Sequence, residues 1–285
     1  MVSLPTGQPR PLLGLLGHPI RHSASPAMQE AAGASVGLDV RYHLIEVAGA
    51  DSAGLRTILD GVRMLGFAGI NVTFPYKAAV VPLLDALSPQ ARAIGAVNTV
   101  VVADGRLTGH NTDATGFDNA LARVIGAPAG PVAMVGTGGV GRAAAFALAA
   151  RGTALRLFDR DAGQATALAA ALPAGTDVRI CDSVAAALDG ATGLVNGTPV
   201  GMLPDRNTPV PPTLLHAGLW VADAVYFPLW TPLLLAAREA GCRVMTGREL
   251  AIDQGVDAFR LFTGRQPSRN AMVAAFDAVM AARSP

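Results

Sequence analysis

The chain has 285 residues, long for one globular domain and comfortable for two. Apolar residues make up 51% and charged residues 15%, with a formal net charge of +1. That balance excludes a disordered or highly charged chain and gives no electrostatic reason to expect nucleic acid.

In chain order, strands are predicted over 12–17 (LLGLLG), 40–47 (VRYHLIEV), 67–73 (FAGINVT) and 97–102 (VNTVVV). Helices are predicted between them over 26–35, 53–65 and 76–87. Residues 97–113 read as a hairpin turning at Asp104-Gly105, with a helix after it. A Gly/Pro-rich joint, GAPAGP at 126–131, precedes a fresh series of strands at 132–136, 154–159, 177–181, 193–196 and 220–224. Helices at 139–151, 162–172 and 231–240 alternate with these, and two last helices, 249–262 and 268–282, follow no strand repeat. Strand–helix alternation implies parallel sheets covered by helices on both faces, and the joint marks a boundary between two α/β domains. The final helices are free to pack back on the first domain.

Cys181 and Cys242 lie far apart and form no Cys-x-x-Cys pair, so the expected setting is a reducing cytoplasm. No basic-then-apolar leader opens the chain, and its apolar runs are too short to span a bilayer. His18 and His22 are four apart, but Pro19 argues against a helix that would align them, and no metal is expected.

VAMVGTGGVGR, 132–142, is a strand running into G-x-G-G-x-G and an Ala-rich helix. Gly136 permits the tight turn, Gly138 lets backbone approach a pyrophosphate, and Gly141 lets helix and strand pack closely, with Gly139 and Val140 between them. The motif by itself is weak, but a second strand ending in Asp159 follows at the expected distance. A carboxylate there accepts from ribose hydroxyls and repels a 2′-phosphate, which favours NAD over NADP. Arg160 complicates this, since a guanidinium can receive that phosphate or simply be solvated. Farther on, VNGTPVGM (195–202) ends a strand in small polar residues, Thr198 among them, where open α/β sheets place ligands.

A nicotinamide coenzyme implies hydride transfer, and oxidation of an alcohol also needs an acceptor for the hydroxyl proton. Lys77, in GINVTFPYK (69–77), is the chain's single lysine among many arginines. Lysine shifts its pKa readily in a partly dry site, whereas arginine keeps its proton. Asp113 in GHNTD and Asn98 in GAVNT are polar residues near strand ends that suit a common site, although each alone reads equally as a turn or cap. In HSASP, Ser23 and Ser25 could present two hydroxyls to a carboxylate, or Ser25 could cap a helix ahead of Pro26.

Together these segments identify a resemblance. SASP, NVTFPYK, GAVNT, GHNTD, GTGGVG, NGTPVGM, DAVY and QGVDAF, in this order, are similar to the shikimate dehydrogenase family, including its quinate/shikimate branch, over nearly the whole chain. The resemblance implies a substrate-binding domain over 1–112 with a mixed or parallel sheet, a Rossmann domain over 113–246 and C-terminal helices over 247–285 returning to the first domain. It implies Lys77 and Asp113 as a catalytic pair at the C3 hydroxyl of shikimate, Ser23 and Ser25 at its carboxylate, and Thr73, Asn98, Tyr226 and Gln254 in the pocket. Thr198 and Gly247 join the expected cofactor residues.

Asp159-Arg160-Asp161 stands where NADP-dependent members carry an Asn-Arg-Thr-like stretch, and DAFRLFTG (257–264) also points to the NAD-using branch. Quinate-active relatives often have threonine where this chain has Ser25, so shikimate is expected to be used better than quinate. The family's usual histidine after the Ser-x-Ser-Pro segment is Gln29 here. Other enzyme readings are an NADP-dependent biosynthetic shikimate dehydrogenase and a relative acting on an amino-quinate or another related cyclic hydroxy acid. A sensor that has lost catalysis is disfavoured by the presence of both Lys77 and Asp113. Monomer and homodimer are both open.

Overall fold

The computed structural model describes residues 10–283. It divides into two α/β units: the described residues of Met1–Thr112 with Gly255–Pro285, and Asp113–Gln254.

The first unit holds β1 (Leu12–Gly17), α1 (Ser25–Ser35), β2 (Arg41–Glu46), α2 (Ser52–Met64), β3 (Phe67–Val72), β4 (Ala86–Leu87), α3 (Pro89–Ile94), β5 (Thr99–Ala103) and β6 (Arg106–His110). The sheet order is β2-β1-β3-β5-β6-β4, with β1 parallel to β2 and β3 and β5 antiparallel to β3 and β6. β1 and β3 are buried along most of their length because they are central, hence their near-continuous apolar runs. The β5–β6 hairpin turns at Asp104 and Gly105, with φ of 50° and 71°, the left-handed pair that a two-residue hairpin requires. Asp51 caps α2 by accepting from Gly54 N–H. Leu55, Leu59 and Val62 of α2 recur at helical spacing and pack on Phe67, Ile70 and Val72 of β3. Each such burial stabilises by about 1.5–3 kcal/mol.

The second unit begins in α4 (Thr112–Val124) and continues through β7 (Val132–Val135), α5 (Gly139–Ala150), β8 (Leu155–Phe158), α6 (Ala162–Ala171), β9 (Val178–Ile180), α7 (Val184–Leu188), β10 (Gly193–Asn196), β11 (Trp220–Asp223), α8 (Pro232–Glu239) and β12 (Arg243–Met245) into α9 (Gly247–Thr263). Its sheet runs β12-β11-β10-β7-β8-β9, parallel throughout. Counted from β7 this is the Rossmann order 3-2-1-4-5-6. Alternate residues of β7 feed opposite cores: Val132 and Met134 pack with Phe117 and Leu148, while Ala133 and Val135 pack with Leu188 and Leu234. Helices therefore cover both faces.

The division between units falls inside α9, between Gln254 and Gly255. α10 (Arg269–Ala281) packs on α1 in the first unit, where Ser268 N–H donates to Ser35 Oγ at 3.0 Å. Among the described residues no helix is long and apolar enough to cross a membrane.

The predicted helix over 76–87 does not form. Tyr76 O accepts from Val80 N–H, but Lys77 O accepts from Val97 N–H at 2.8 Å, and Pro82 has no N–H to continue the ladder. The segment becomes turns, a 3-10 turn at Val81–Leu83 and the two-residue β4. The short elements β4, α3, α7 and β12 went unpredicted. Since β12 precedes α9, the helix expected over 249–262 does follow a strand.

Candidate active site

In the first unit, backbone hydrogen bonds stitch together the loops leaving the carboxyl ends of β1 and β3. Thr73 N–H donates to Leu16 O at 2.9 Å, and His18 N–H donates to Phe74 O at 3.0 Å. Thr73 and Lys77, both half-buried, ride on the second loop. Tyr76 anchors that loop from below: its hydroxyl donates to Val47 O at 2.7 Å and accepts from Ala50 N–H at 3.0 Å. The backbone of Lys77 is thus held in place by the anchored Tyr76 that precedes it and by Val97 N–H, which donates to the Lys77 carbonyl. Pro75 and Pro82 bracket this turn.

Ser23 and Ser25 lie together on the loop after β1. Ser23 Oγ donates to Ser25 Oγ at 3.0 Å and accepts from Ser25 N–H at 3.1 Å. The helix-cap role considered for Ser25 is not realised: the N-cap of α1 is Ala24, with no side-chain cap. Ser25 can therefore donate outward, next to a helix N-terminus that favours negative charge. Gln29, buried one turn on, donates from Nε2 to Gly255 O at 3.1 Å and so ties α1 to α9.

A buried polar network crosses the sheet behind these loops. Tyr42 Oη donates to Asn71 Oδ1 at 2.8 Å, and Asn71 Nδ2 donates to Thr99 Oγ1 at 3.1 Å and Asn98 O at 3.2 Å. Asn98 Oδ1 accepts from Thr112 N–H at 2.7 Å, and Asn98 Nδ2 donates to Thr112 Oγ1 at 3.0 Å. Asn98, expected at the substrate, thereby also fixes the residue that precedes Asp113. Fully partnered polar groups at this depth make a rigid core feature. Beside them His110 is half-buried, and burial lowers its pKa, keeping it neutral at pH 7.

In the second unit, Gly136 closes the turn after β7 with φ of 88°, and a side chain there would strike Thr198 N. Gly141 packs its Cα against the Gly136 carbonyl and lies 2.6 Å from where a Gly197 Cβ would stand. The loops after β7 and β10 therefore meet at the point where the strand order reverses, the position at which open α/β sheets bind ligands. Gly138, the N-cap of α5, faces open space and supplies no side-chain cap, whereas α2, α3, α6, α7, α8 and α10 are all capped by Asp, Ser or Thr. Uncapped N–H groups opening onto free space fit a pyrophosphate. Gly139 begins the helix, and Val140 packs against the core that holds Phe117, Ala222 and Met245.

Asp159 is braced from both sides. Its Oδ2 accepts from Thr137 N–H at 2.7 Å and Thr137 Oγ1 at 3.0 Å, and its Oδ1 accepts from Asp161 N–H at 3.0 Å. Thr137, inside the glycine loop, was missed as a partner in the sequence. Arg160 is exposed. Asp223, within the DAVY segment but not singled out, proves a hub. Its Oδ1 accepts from Asn196 Nδ2 at 2.9 Å and Val225 N–H at 3.0 Å, while Oδ2 accepts from Thr231 Oγ1 at 2.6 Å. Asn196 Oδ1 in turn accepts from Thr198 Oγ1 at 2.7 Å. Burial pushes the Asp223 carboxyl up to about 6 although all three hydrogen bonds pull it down. The available signal was a carboxylate ending an apolar strand, WVAD. Half-buried Tyr226 follows on the loop that Asp223 holds, and Gly247 starts α9 against the backbone of Ala224 and Val225.

Asp113 is buried in the first turn of α4. One turn on, Gly116 lies against Gln254 of α9: a Cβ at 116 would stand 2.6 Å from Gln254 N. The structure thus brings Asp113 and Gln254 to adjoining turns of two touching helices. Among the described residues no cluster of His, Cys, Asp or Glu is arranged to hold a metal.

A Rossmann sheet with a phosphate-ready glycine loop, joined to an α/β unit carrying a lysine and hydroxyls at strand ends, defines a nicotinamide-dependent dehydrogenase of the two-domain α/β class. Residues 15–100 match the family model of the shikimate dehydrogenase substrate binding domain. The chain is 44% identical over 274 residues to the quinate/shikimate dehydrogenase (NAD(+)) of Corynebacterium glutamicum strain R, covering 92% of this chain and 96% of that one. Quinate dehydrogenase from C. glutamicum, solved in complex with NAD, superposes with a TM-score of 0.87 at 42% identity, over 94% of this chain and 99% of that one. Shikimate 5-dehydrogenase from Thermus thermophilus, solved with NADP(H) and shikimate, gives 0.86 at 39% identity, over 94% and 99%. The chain belongs to the shikimate dehydrogenase family.

Proposed function

We propose that this chain is an NAD-linked shikimate dehydrogenase that takes quinate less readily, oxidising the C3 hydroxyl to the ketone. The substrate's ring and carboxylate belong to the first unit and the dinucleotide to the second. When bound, NAD supplies the hydride acceptor; Gly136, Gly138, Gly139, Val140, Gly141, Thr198 and Gly247 would hold it. Ser23 and Ser25 donate to the substrate carboxylate, and Thr73, Asn98, Tyr226 and Gln254 complete the pocket. Lys77 accepts the proton of the C3 hydroxyl as hydride leaves the carbon, and Asp113 orients that hydroxyl and stabilises the ammonium that results. Asp159, locked by Thr137 and Asp161, presents fixed negative charge where an adenosine ribose is held, which favours NAD over NADP.

The observation that carries the reading is Lys77 itself. The chain's single lysine is fixed half-buried beyond the end of β3, in the turn that Tyr76 and Val97 hold. Two buried free cysteines suit a reducing cytoplasm. Every residue named lies in one chain, so a monomer or a homodimer serves equally. Lys77→Ala tests the assignment: turnover should fall by roughly 10²–10⁴-fold with substrate binding much less affected. Near wild-type turnover would reassign the base.

A further inference from the structure

Among the described residues, three carboxylates are buried: Asp113, Asp223 and Asp253. The first belongs to the proposed catalytic pair, and the second holds the loops after β10 and β11. Asp253 has no part in either, yet it directly precedes Gln254.

Its partner is on α4. Arg123 Nη1 donates to Asp253 Oδ2 at 2.5 Å and stands 3.8 Å from Glu249 Oε2, one turn earlier on α9. Arg123 lies seven residues beyond Gly116, two turns along the same face of α4. Along this face α4 meets α9 through Gly116 against the backbone of Gln254 and through Arg123 against the side chain of Asp253. The first contact sets how close the helices come, because a Cβ at 116 would overlap Gln254. It does not set their register, since a smooth glycine surface permits sliding. The ion pair does. A one-turn slip would bring Arg123 opposite Glu249, which Arg248 already pairs at 2.5 Å, and would leave the buried Asp253 carboxylate without its guanidinium.

We propose that Arg123 and Asp253 are positioning residues whose ion pair fixes α9 on α4 and thereby places the Gln254 side chain relative to Asp113 for substrate binding. The proposal rests on the reading that Gln254 and Asp113 serve the substrate. It assigns the pair no contact with substrate or coenzyme.

The test is steady-state kinetics with shikimate and NAD on Asp253→Asn, Arg123→Gln, Arg123→Lys and Gln254→Ala, and on Asp253→Asn combined with Gln254→Ala. Assays are run well below each variant's unfolding temperature. Asp253→Asn and Arg123→Gln should raise KM for shikimate on the order of tenfold, with KM for NAD within about twofold, and Arg123→Lys should restore most of the loss. In the Gln254→Ala background, Asp253→Asn should add little, because a residue acting through Gln254 is silent once that side chain is gone. Should Asp253→Asn fail to fold, Arg123→Gln carries the same test from the exposed side of the pair. Unchanged KM for shikimate in a folded variant overturns the proposal. So does an equal rise for both ligands, or full additivity with Gln254→Ala. If Gln254→Ala itself leaves KM for shikimate unchanged, the substrate-site assignment fails and this inference falls with it. A normal response to Gln254→Ala beside a silent Asp253→Asn sinks the positioning role alone.

Discussion

Replacing Asp223 by asparagine should remove a pH-dependent penalty from the second unit. The carboxyl is 1% exposed at the end of β11, and burial moves it from its ordinary 3.8 to about 6. A folded-state value above the unfolded one means that the protonated form is the one folding favours. The stabilising contribution is therefore complete below pH 3.8 and disappears as pH rises through 6. At about 1.4 kcal/mol per pH unit the total is about 3 kcal/mol, of which roughly half is lost between pH 5 and 8. Asparagine keeps the geometry: its Oδ1 can accept from Asn196 and Val225, and its Nδ2 can donate to Thr231 Oγ1. The assay is urea unfolding of both proteins from pH 5 to 8, followed by tryptophan fluorescence. Both tryptophans, Trp220 and Trp230, lie in the second unit, so the signal reports that unit alone. The variant should gain about 1.5 kcal/mol on the wild type across this range. Two parallel stability curves, separated by a constant amount at every pH, would refute the reasoning.

Asp159→Ala should weaken NAD more than shikimate, and dissociation constants that change equally would undo its role at the ribose. Because Asp159 also braces Thr137, Thr137→Val should reproduce part of the NAD effect, which titration of the variant with NAD would show. Tyr76→Phe removes the hydroxyl that joins Val47 O and Ala50 N–H and should cost about 1–3 kcal/mol, read as a lowered urea midpoint. Ser25→Thr should move the quinate-to-shikimate rate ratio upward, and an unchanged ratio would detach that position from selectivity.

Legibility followed the range of the interactions. β1 and β10 begin and end where the apolar runs LLGLLG and GLVN do, because a buried central strand carries its own signal. The Rossmann motif was legible for the same local reason: glycine spacing, strand and helix are contiguous in the chain. Residues 76–87 looked helical because the Val97 N–H that captures the Lys77 carbonyl lies twenty residues away, beyond any periodicity. β12 is a three-residue edge strand beginning in arginine, too short to show alternation. Candidate site residues stood out where chemistry is unusual for its setting, as with a lone lysine or an Asn in an apolar strand. Their supports did not, because Asp223, Thr137 and Asp253 gain meaning only from partners that the fold brings to them. Nothing local marks Gly116 as the crossing point of α4 and α9, since the residue it meets is far along the chain.

The most direct measurement is the initial rate of coenzyme reduction by the wild-type protein with shikimate or quinate, each with NAD or NADP. Shikimate with NAD should dominate, quinate with NAD should follow, and both NADP reactions should be weak. A dominant NADP rate would transfer the selecting role from Asp159 to Arg160, and silence in all four reactions from folded protein would contradict the proposed activity itself.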